Sequence, residues 1–203
     1  PLPVVTFGPV APVCANASPI DLNAYVSPQG GTFSGDGISG SFFKAAAAGL
    51  GNHLITYTYT DSNHCSSSAQ QTIFVKPAPS LTPTITTVSC NGSTDGAISI
   101  IVTGGTPPYS ILWSTGGMTS LISHLGAGTY SVTVTDATGC QALGSWALID
   151  PLPLTLNVAN HNVTCNGDTT GSLDLTVTGG TPPYRFLWST GVMTEDLNNQ
   201  PAG

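Results

Sequence analysis

The chain has 203 residues, of which only 6% are charged. It contains three Lys or Arg and ten Asp or Glu, which gives a net charge of −7. Three basic residues leave no electrostatic surface for nucleic acid, and no apolar run approaches the roughly 20 residues that insert across a membrane. The 28 Thr and 21 Ser, beside 40% hydrophobic residues, argue against a helical enzyme and favour folded strands and turns over disorder.

The first predicted element is an immunoglobulin-like module at residues 1–78. It begins at a proline, with no initiating Met and no basic leader, so we expect an internal piece of a longer polypeptide. Its one helical candidate, residues 44–48, is too short to be stable alone. Prolines 77 and 79 end the module and predict a short, stiff joint, because proline holds the backbone extended.

A second module is predicted at residues 79–153, and a third, truncated at its C-terminal end, at residues 154–203. Cys-Asn-Gly, Gly-Gly-Thr-Pro-Pro-Tyr and Trp-Ser-Thr-Gly begin at residues 90, 104 and 113 and recur 75 residues later. The first module shares this register only in scattered matches, such as Asp61 with Asp136. It is therefore a diverged relative of the other two.

Strict alternation of apolar and polar residues predicts the strands, because period two places one face in a core and the other in water. Turns rich in Gly, Pro and Asp separate these runs. The fold class predicted is all-β: tandem, small, immunoglobulin-like or fibronectin-like antiparallel β-sandwiches. The alternating runs are residues 98–102, 109–113, 130–134, 173–177 and 184–188.

Cysteine spacing predicts two disulfides within modules, Cys14 with Cys65 and Cys90 with Cys140, since the pairs span 51 and 50 positions. Each would staple a core that is thin in a module of this size. The same spacing puts the partner of Cys165 about 12 positions past the last residue. Disulfides imply an oxidising, extracellular location, whereas free buried cysteines are the alternative.

The order of the repeated words resembles a known family. Cys-Asn-Gly, an alternating strand, Gly-Gly-Thr-Pro-Pro-Tyr, Trp-Ser-x-Gly and Gly-x-Tyr-x-Val-x-Val-x-Asp-x-x-Gly-Cys look like the SprB repeat of very large Bacteroidetes surface adhesins. The second module carries the whole pattern and the third carries it up to the chain end. The resemblance implies export by the type IX secretion system, attachment at the cell surface and outer membrane, and a filament of many tandem modules.

No residue pattern predicts catalysis or zinc binding. The histidines stand in no arrangement with Ser, Cys or Asp, they do not recur between modules, and no C-x-x-C or H-x-x-x-H spacing occurs. We therefore expect a protein that is not an enzyme. The four histidines are His53, His64, His124 and His161.

Calcium is a minor hypothesis, and otherwise no cofactor is expected. Oxygen-bearing side chains gather in turns at residues 91–95 and 166–169 and at Asp61 and Asp136, but each turn offers one carboxylate, whereas calcium takes six to eight oxygens. Asx-turns therefore explain these residues better. Thr169, in Asp-Thr-Thr, matches the short acceptor motif of Bacteroidetes protein O-glycosylation and is a candidate modification site.

Aromatic residues recur at Tyr109 and Trp113 and again at Tyr184 and Trp188. They could stack on carbohydrate, but their alternation within strands favours a place in the core.

The function predicted is a stalk segment of a secreted adhesin filament, for surface attachment or gliding motility. The alternatives are a self-associating structural filament and a non-catalytic appendage of a secreted hydrolase. The partners expected are neighbouring modules of the same chain, the secretion and attachment machinery, and a surface polysaccharide or other adhesion target.

Overall fold

Nearly all regular structure is β-strand in the computed structural model, which describes residues 2–165 and 167–201. Helix is confined there to a 3-10 turn at Leu22–Tyr25 and one α-helical turn, α1 (Ala45–Ala48), and no described helix has the length and apolarity to cross a membrane. The predicted all-β class is confirmed. The first strands are β1 (Thr6–Phe7), β2 (Val13–Cys14), β3 (Ile20–Asp21), β4 (Val26–Ser27), β5 (Thr32–Ser34), β6 (Ile38–Ser39), β7 (Phe42–Phe43), β8 (Gly51–Thr60) and β9 (Ser66–Lys76). The later strands are β10 (Pro79–Thr86), β11 (Gly96–Gly104), β12 (Ser110–Trp113), β13 (Leu121–Leu125), β14 (Gly128–Thr135), β15 (Gln141–Leu148), β16 (Thr155–His161), β17 (Gly171–Thr178) and β18 (Leu197–Gln200).

The chain divides into two compact units. Unit 1 runs to Thr82 and also contains 101–119 and 131–144, while unit 2 contains 83–100, 120–130 and the chain from Ser145 onward. Each unit takes residues from the second predicted module. The module boundaries at residues 78 and 153 therefore stay predictions from the sequence repeat.

The long hairpin of β8 and β9 organises the first module. It pairs in register from Gly51 opposite Val75 to Thr60 opposite Ser66, inside a sheet of order β2-β9-β8-β5. Strand β2 runs parallel to the end of β9 and places Cys14 opposite Lys76. Two smaller sheets, β3-β7-β6 and β1-β4, complete the module.

Alternate residues of this hairpin face a buried core, as period two requires. The Tyr57 hydroxyl is fully buried and satisfied, since it donates to the Pro28 carbonyl and accepts from the Gly31 N–H, both at 2.7 Å. The core cluster comprises Val10, Leu22, Phe43, Ala45, Ile55, Ile73 and Val75.

The second module forms two three-stranded sheets of order β10-β11-β13 and β12-β14-β15. Strand β12 pairs antiparallel with β14, and Trp113 lies opposite Val132. Trp113 is 2% exposed, and Val132 and Val134 are likewise buried. The predicted inward faces of β12 and β14 are thus confirmed.

The third module contains one sheet of order β16-β17-β18. The prediction of a strand at residues 184–188 is wrong, because the structure has no strand there. The counterpart of this segment, β12, pairs with β14. Among the described residues, no strand pairs with 184–188.

Candidate functional site

One disulfide joins distant parts of unit 1. Cys14 bonds Cys140 across a sequence separation of 126, with their Cα atoms 5.6 Å apart. The predicted pairs Cys14–Cys65 and Cys90–Cys140 are therefore wrong, and Cys65, Cys90 and Cys165 carry free thiols. The bond ties the first module to the second, as the sequence defines them.

Strand geometry explains why Cys14 does not reach Cys65. Cys65 precedes β9 at the tip of the hairpin, whereas Cys14 lies opposite Lys76 at the other end of that strand. Eleven residues at about 3.3 Å each separate the two positions by roughly 35 Å. A disulfide needs Cα atoms within about 7 Å.

Hydrogen bonds reinforce the disulfide on both sides. The Ala15 N–H donates to the Lys76 carbonyl at 2.9 Å, and Lys76 Nζ donates to the Thr138 carbonyl at 2.8 Å. Asn16 Nδ2 donates to the Gln141 carbonyl at 2.7 Å. We call this arrangement of residues 14–16, 76 and 136–141 the joint.

The hairpin turn that carries Cys140 is built on the Asp136 carboxylate. Its Oδ1 accepts hydrogen bonds from the N–H groups of Thr138 and Cys140 and from the Thr138 hydroxyl, and its Oδ2 accepts from the Thr106 N–H. Burial alone would raise the pKa of Asp136, but these hydrogen bonds from Thr106, Cys140 and Thr138 outweigh it and lower the pKa to about 2. The carboxylate is therefore a structural anion that positions Cys140.

The turn at Asp61 has the same construction. Its Oδ1 accepts from the N–H groups of Asn63 and Cys65, both at 2.9 Å, and the Asp61 N–H donates to the Cys65 carbonyl. Cys65 thus occupies the place that Cys140 has in the second module, although its thiol is free.

The Gly-Gly-Thr turn holds the Asp136 turn against the linker between modules. The Ala137 N–H donates to the Thr106 carbonyl at 2.9 Å, which complements the bond from Thr106 to Asp136. Gly105 has a φ of +66°, and a Cβ there would come within 3.0 Å of the Pro79 nitrogen. Only glycine fits this approach without strain.

Two stretches of the chain match the family model of the SprB repeat, at residues 82–118 and 158–193. Together the two matches cover 73 of the 203 residues. The first match includes Cys90, the Gly-Gly-Thr turn and β12, and the second includes their counterparts, so the resemblance drawn from the repeated words is confirmed. No curated protein is significantly similar to this chain.

Three structures of immunoglobulin-domain proteins are similar to this chain. The N-terminal eight Ig domains of Down Syndrome Cell Adhesion Molecule align with a TM-score of 0.41 and 9% identity, over 88% of this chain and 28% of that one. The amphioxus IgVJ-C2 molecule gives 0.29 and 14%, over 49% and 59%. Dscam1, as its N-terminal four Ig domains, gives 0.30 and 15%, over 71% and 44%. This chain spans less than two thirds of each.

The recurring aromatic residues form hydrogen bonds with nearby carbonyl groups of the chain itself. The Tyr109 hydroxyl donates to the Gly104 carbonyl at 2.6 Å, and Tyr184 bonds Gly179 in the same way. Trp113 is buried and its Nε1 donates to the Thr119 carbonyl at 2.8 Å. The two tyrosines brace their turns and Trp113 fills the interior, whereas Trp188 is only half-buried, so the prediction that favoured the core over carbohydrate stacking is confirmed for Trp113.

The histidines lie outside the joint in the described part of the chain, and His124 Nδ1 is 3.1 Å from Ser123 Oγ. His53 is buried with its Nε2 3.0 Å from the Gly49 carbonyl and its Nδ1 3.6 Å from Asp36. No group of three or more His, Cys, Asp or Glu among the described residues could hold a metal ion. His64, His124 and His161 are exposed.

The turns proposed to bind calcium are held by their own hydrogen bonds. Asp95 Oδ1 accepts from the Ser89 N–H at 3.0 Å, and Asp168 Oδ2 accepts from the Thr164 hydroxyl at 3.2 Å. Asn166 lies outside the described residues. Thr169 is exposed, so its glycosylation stays a prediction.

Proposed function

We propose that this chain is a non-enzymatic stalk segment of a large secreted adhesin filament at the cell surface, used in surface attachment or gliding motility. The observation that carries the proposal is the joint, in which the Cys14–Cys140 bond fastens one tandem module to the next. SprB repeats and immunoglobulin-like modules are typically non-catalytic. A stalk needs length and resistance to force, and both are properties of a linked tandem array.

The joint would limit how far the stalk can stretch. Because the disulfide closes the chain between Cys14 and Cys140, a pulling force cannot extend those 126 residues. At about 3.6 Å per extended residue, the disulfide prevents roughly 450 Å of chain extension. The Lys76 and Asn16 hydrogen bonds to the same hairpin would resist opening of the joint at low force.

The location and partners belong to the same proposal. Disulfides persist in oxidising, extracellular surroundings. We therefore propose export by type IX secretion, attachment at the outer membrane, and neighbouring modules of the same chain as the main partners. A polysaccharide or other adhesion target would be bound elsewhere on the filament or by many weak contacts together.

Single-molecule stretching tests the mechanical part. The chain is pulled from its two ends, with and without a reductant. We expect the reduced chain to gain roughly 450 Å of contour length. Cys65→Ala is the matched control, because it removes a cysteine without touching the joint. Equal contour lengths in the two conditions would refute the mechanical role.

Antibody-fragment labelling of living cells tests the biological part. Foci that move along the cell surface support a gliding adhesin. Static surface label supports a fixed adhesin or a structural filament instead. Antigen released into the medium, with no surface label, contradicts the stalk proposal and favours the appendage of a secreted hydrolase.

A further inference from the structure

Cys90 occupies the same place in the second module that Cys14 occupies in the first. Each begins a turn closed by an N–H three residues on, from Ala17 to the Cys14 carbonyl at 2.9 Å and from Ser93 to the Cys90 carbonyl at 3.0 Å. Cys90 is nevertheless a free, exposed thiol, whereas Cys14 is bonded.

Both turns are anchored to the end of their own module. The Ala15 N–H binds the Lys76 carbonyl, and Asn91 Nδ2 binds the Pro151 carbonyl at 3.0 Å. Lys76 and Pro151 are 75 residues apart, which is one repeat. Within unit 2, Cys90 is therefore held at the boundary with the next module, as Cys14 is in unit 1.

The Gly-Gly-Thr turn of the third module is already in position beside Cys90. Thr181 Oγ1 donates to the Ser89 carbonyl at 3.0 Å, and the Gly180 N–H donates to the Leu152 carbonyl at 2.7 Å. In unit 1 the equivalent Thr106 holds the turn that carries Cys140. The counterpart of that turn would thus be held next to Cys90.

An apolar cavity of about 850 Å³ lies beside Cys90 in unit 2. Trp188 lines it and is only half-buried, whereas the equivalent Trp113 is 2% exposed. Trp113 lies on β12, which pairs with β14 of the hairpin that carries Cys140. The cavity therefore marks the place of such a hairpin in the third module. Its apolar lining includes Leu156, Val158, Leu175, Val177 and Phe186.

We propose that Cys90 is a cross-linking site, which forms a disulfide with the cysteine of the Asp-x-x-x-Cys hairpin in the following module of the same polypeptide. Cys65 lies in a turn that matches the turn of Cys140. It would therefore form the equivalent disulfide with a preceding module. Every joint of the array would then carry the bond seen between Cys14 and Cys140. The inference deepens the proposed stalk function and rests on it for its biological meaning.

The chemistry requires an oxidant. Two thiols lose two protons and two electrons as the S–S bond forms, and a disulfide-bearing oxidant of the extracellular compartment accepts them and becomes a dithiol. One thiolate attacks the oxidant's disulfide, and the second thiolate then displaces the reduced oxidant from the mixed disulfide.

An extended chain tests the proposal. A copy of residues 129–153 is appended after the last residue, where the 75-residue period places it, so that it supplies a hairpin equivalent to that of β14 and β15 with a copy of Cys140. After oxidative folding, peptide mapping without reductant should join Cys90 to the appended cysteine. Free thiols should remain at Cys65 and Cys165. The matched control carries serine in place of the appended cysteine and should keep Cys90 free.

A bond from the appended cysteine to Cys165 would overturn the proposal, because it would place the disulfide within a module. An appended cysteine that stays a thiol while Cys14–Cys140 forms would also overturn it. Cys165→Ser removes the competing partner and should leave the Cys90 bond unchanged.

The natural protein, collected from the cell surface, provides a second measurement. Cys90 should be recovered bonded to a hairpin cysteine of the next module, whereas a Cys90 thiol overturns the cross-link. Neither mapping experiment depends on adhesion. If peptide mapping finds no Cys90 disulfide but the cells carry surface label, only the cross-link proposal is refuted. If mapping finds the disulfide but the cells carry no surface label, only the stalk function is refuted.

Discussion

Removal of the Cys14–Cys140 bond should destabilise unit 1 substantially. The bond joins residues 126 apart in sequence. In the chain-entropy model, closing a loop of that length stabilises the folded state by about 5 kcal/mol at 25 °C. The double substitution Cys14→Ala with Cys140→Ala should therefore lower the free energy of unfolding by roughly 3–5 kcal/mol, since native disulfides often contribute less than the model value.

Urea unfolding, followed by Trp113 fluorescence, measures this change. Trp113 belongs to unit 1 and is buried, so its emission should shift when the unit unfolds. Trp146 and Trp188 are replaced by Phe in every variant to remove their signals. Cys65→Ala is the control, because Cys65 carries a free thiol and its loss should change the free energy of unfolding by less than about 1 kcal/mol.

Thiol titration of the unfolded chain checks the pairing itself. The structure predicts three reactive thiols, at Cys65, Cys90 and Cys165, whereas two disulfides within modules would leave one. A count of one would refute the reasoning. So would a loss of stability below about 1 kcal/mol in the double variant, since the loop-closure argument requires several times that.

The remaining predictions concern the turns. Asp136 has a pKa of about 2 in the folded chain against an ordinary 3.8, so its contribution to the stability of the fold is complete above pH 3.8 and is lost as the pH falls through 2. Asp136→Asn should abolish this part of the acid destabilisation, as measured by the urea midpoint at a series of pH values. Gly105→Ala should cost about 1–3 kcal/mol of stability, and Gly116→Ala, also at positive φ but with no atom near its Cβ, should cost only about 1, by the same urea assay. His64 has a φ of 61° where the second module has Gly139, so His64→Gly should stabilise unit 1 by about 0.5–1 kcal/mol, and an unchanged midpoint would contradict the strain argument. EDTA and added calcium should leave the melting temperature unchanged, because the Asp136 carboxylate already accepts four hydrogen bonds from its own chain.

Cysteine spacing could not show whether a cysteine forms its disulfide within its own module or with the next module. Cys14 lies 51 positions before Cys65 and 126 before Cys140, and the two values differ by one repeat of 75. A periodic sequence presents the same cysteine environment in every module. Only the direction of β2 along β9, which sends Cys14 to the far end of the strand from Cys65, separates the two pairings.

Strand predictions succeeded where the partner strand is present. Period two correctly assigned the buried faces of β11, β12 and β14, because each has a neighbour to complete its ladder. The same pattern failed at residues 184–188, although Tyr184 and Trp188 repeat the spacing of Tyr109 and Trp113. A β-strand needs a neighbouring strand for its hydrogen bonds. Alternation of apolar and polar residues predicts which face of a strand would be buried, but it does not predict whether a partner strand is present.

The repeated residues serve the scaffold more than they serve a ligand. The Tyr109 hydroxyl, the Trp113 indole N–H and the Asp136 carboxylate all bond to the chain itself, so their polar atoms are already used. Positions that differ between the repeats are the ones that change what each module exposes.

Such positions occur on a segment where the two 75-residue repeats diverge. Arg185 and Phe186 stand in the third module where the second has Ser110 and Ile111. Arg185 is exposed and is one of only three Lys and Arg residues in the chain, so this change alters surface charge while the flanking Tyr and Trp are the same residue types in both repeats. A tandem array built in this way can vary its surface charge from module to module while the disulfide-linked joint stays the same.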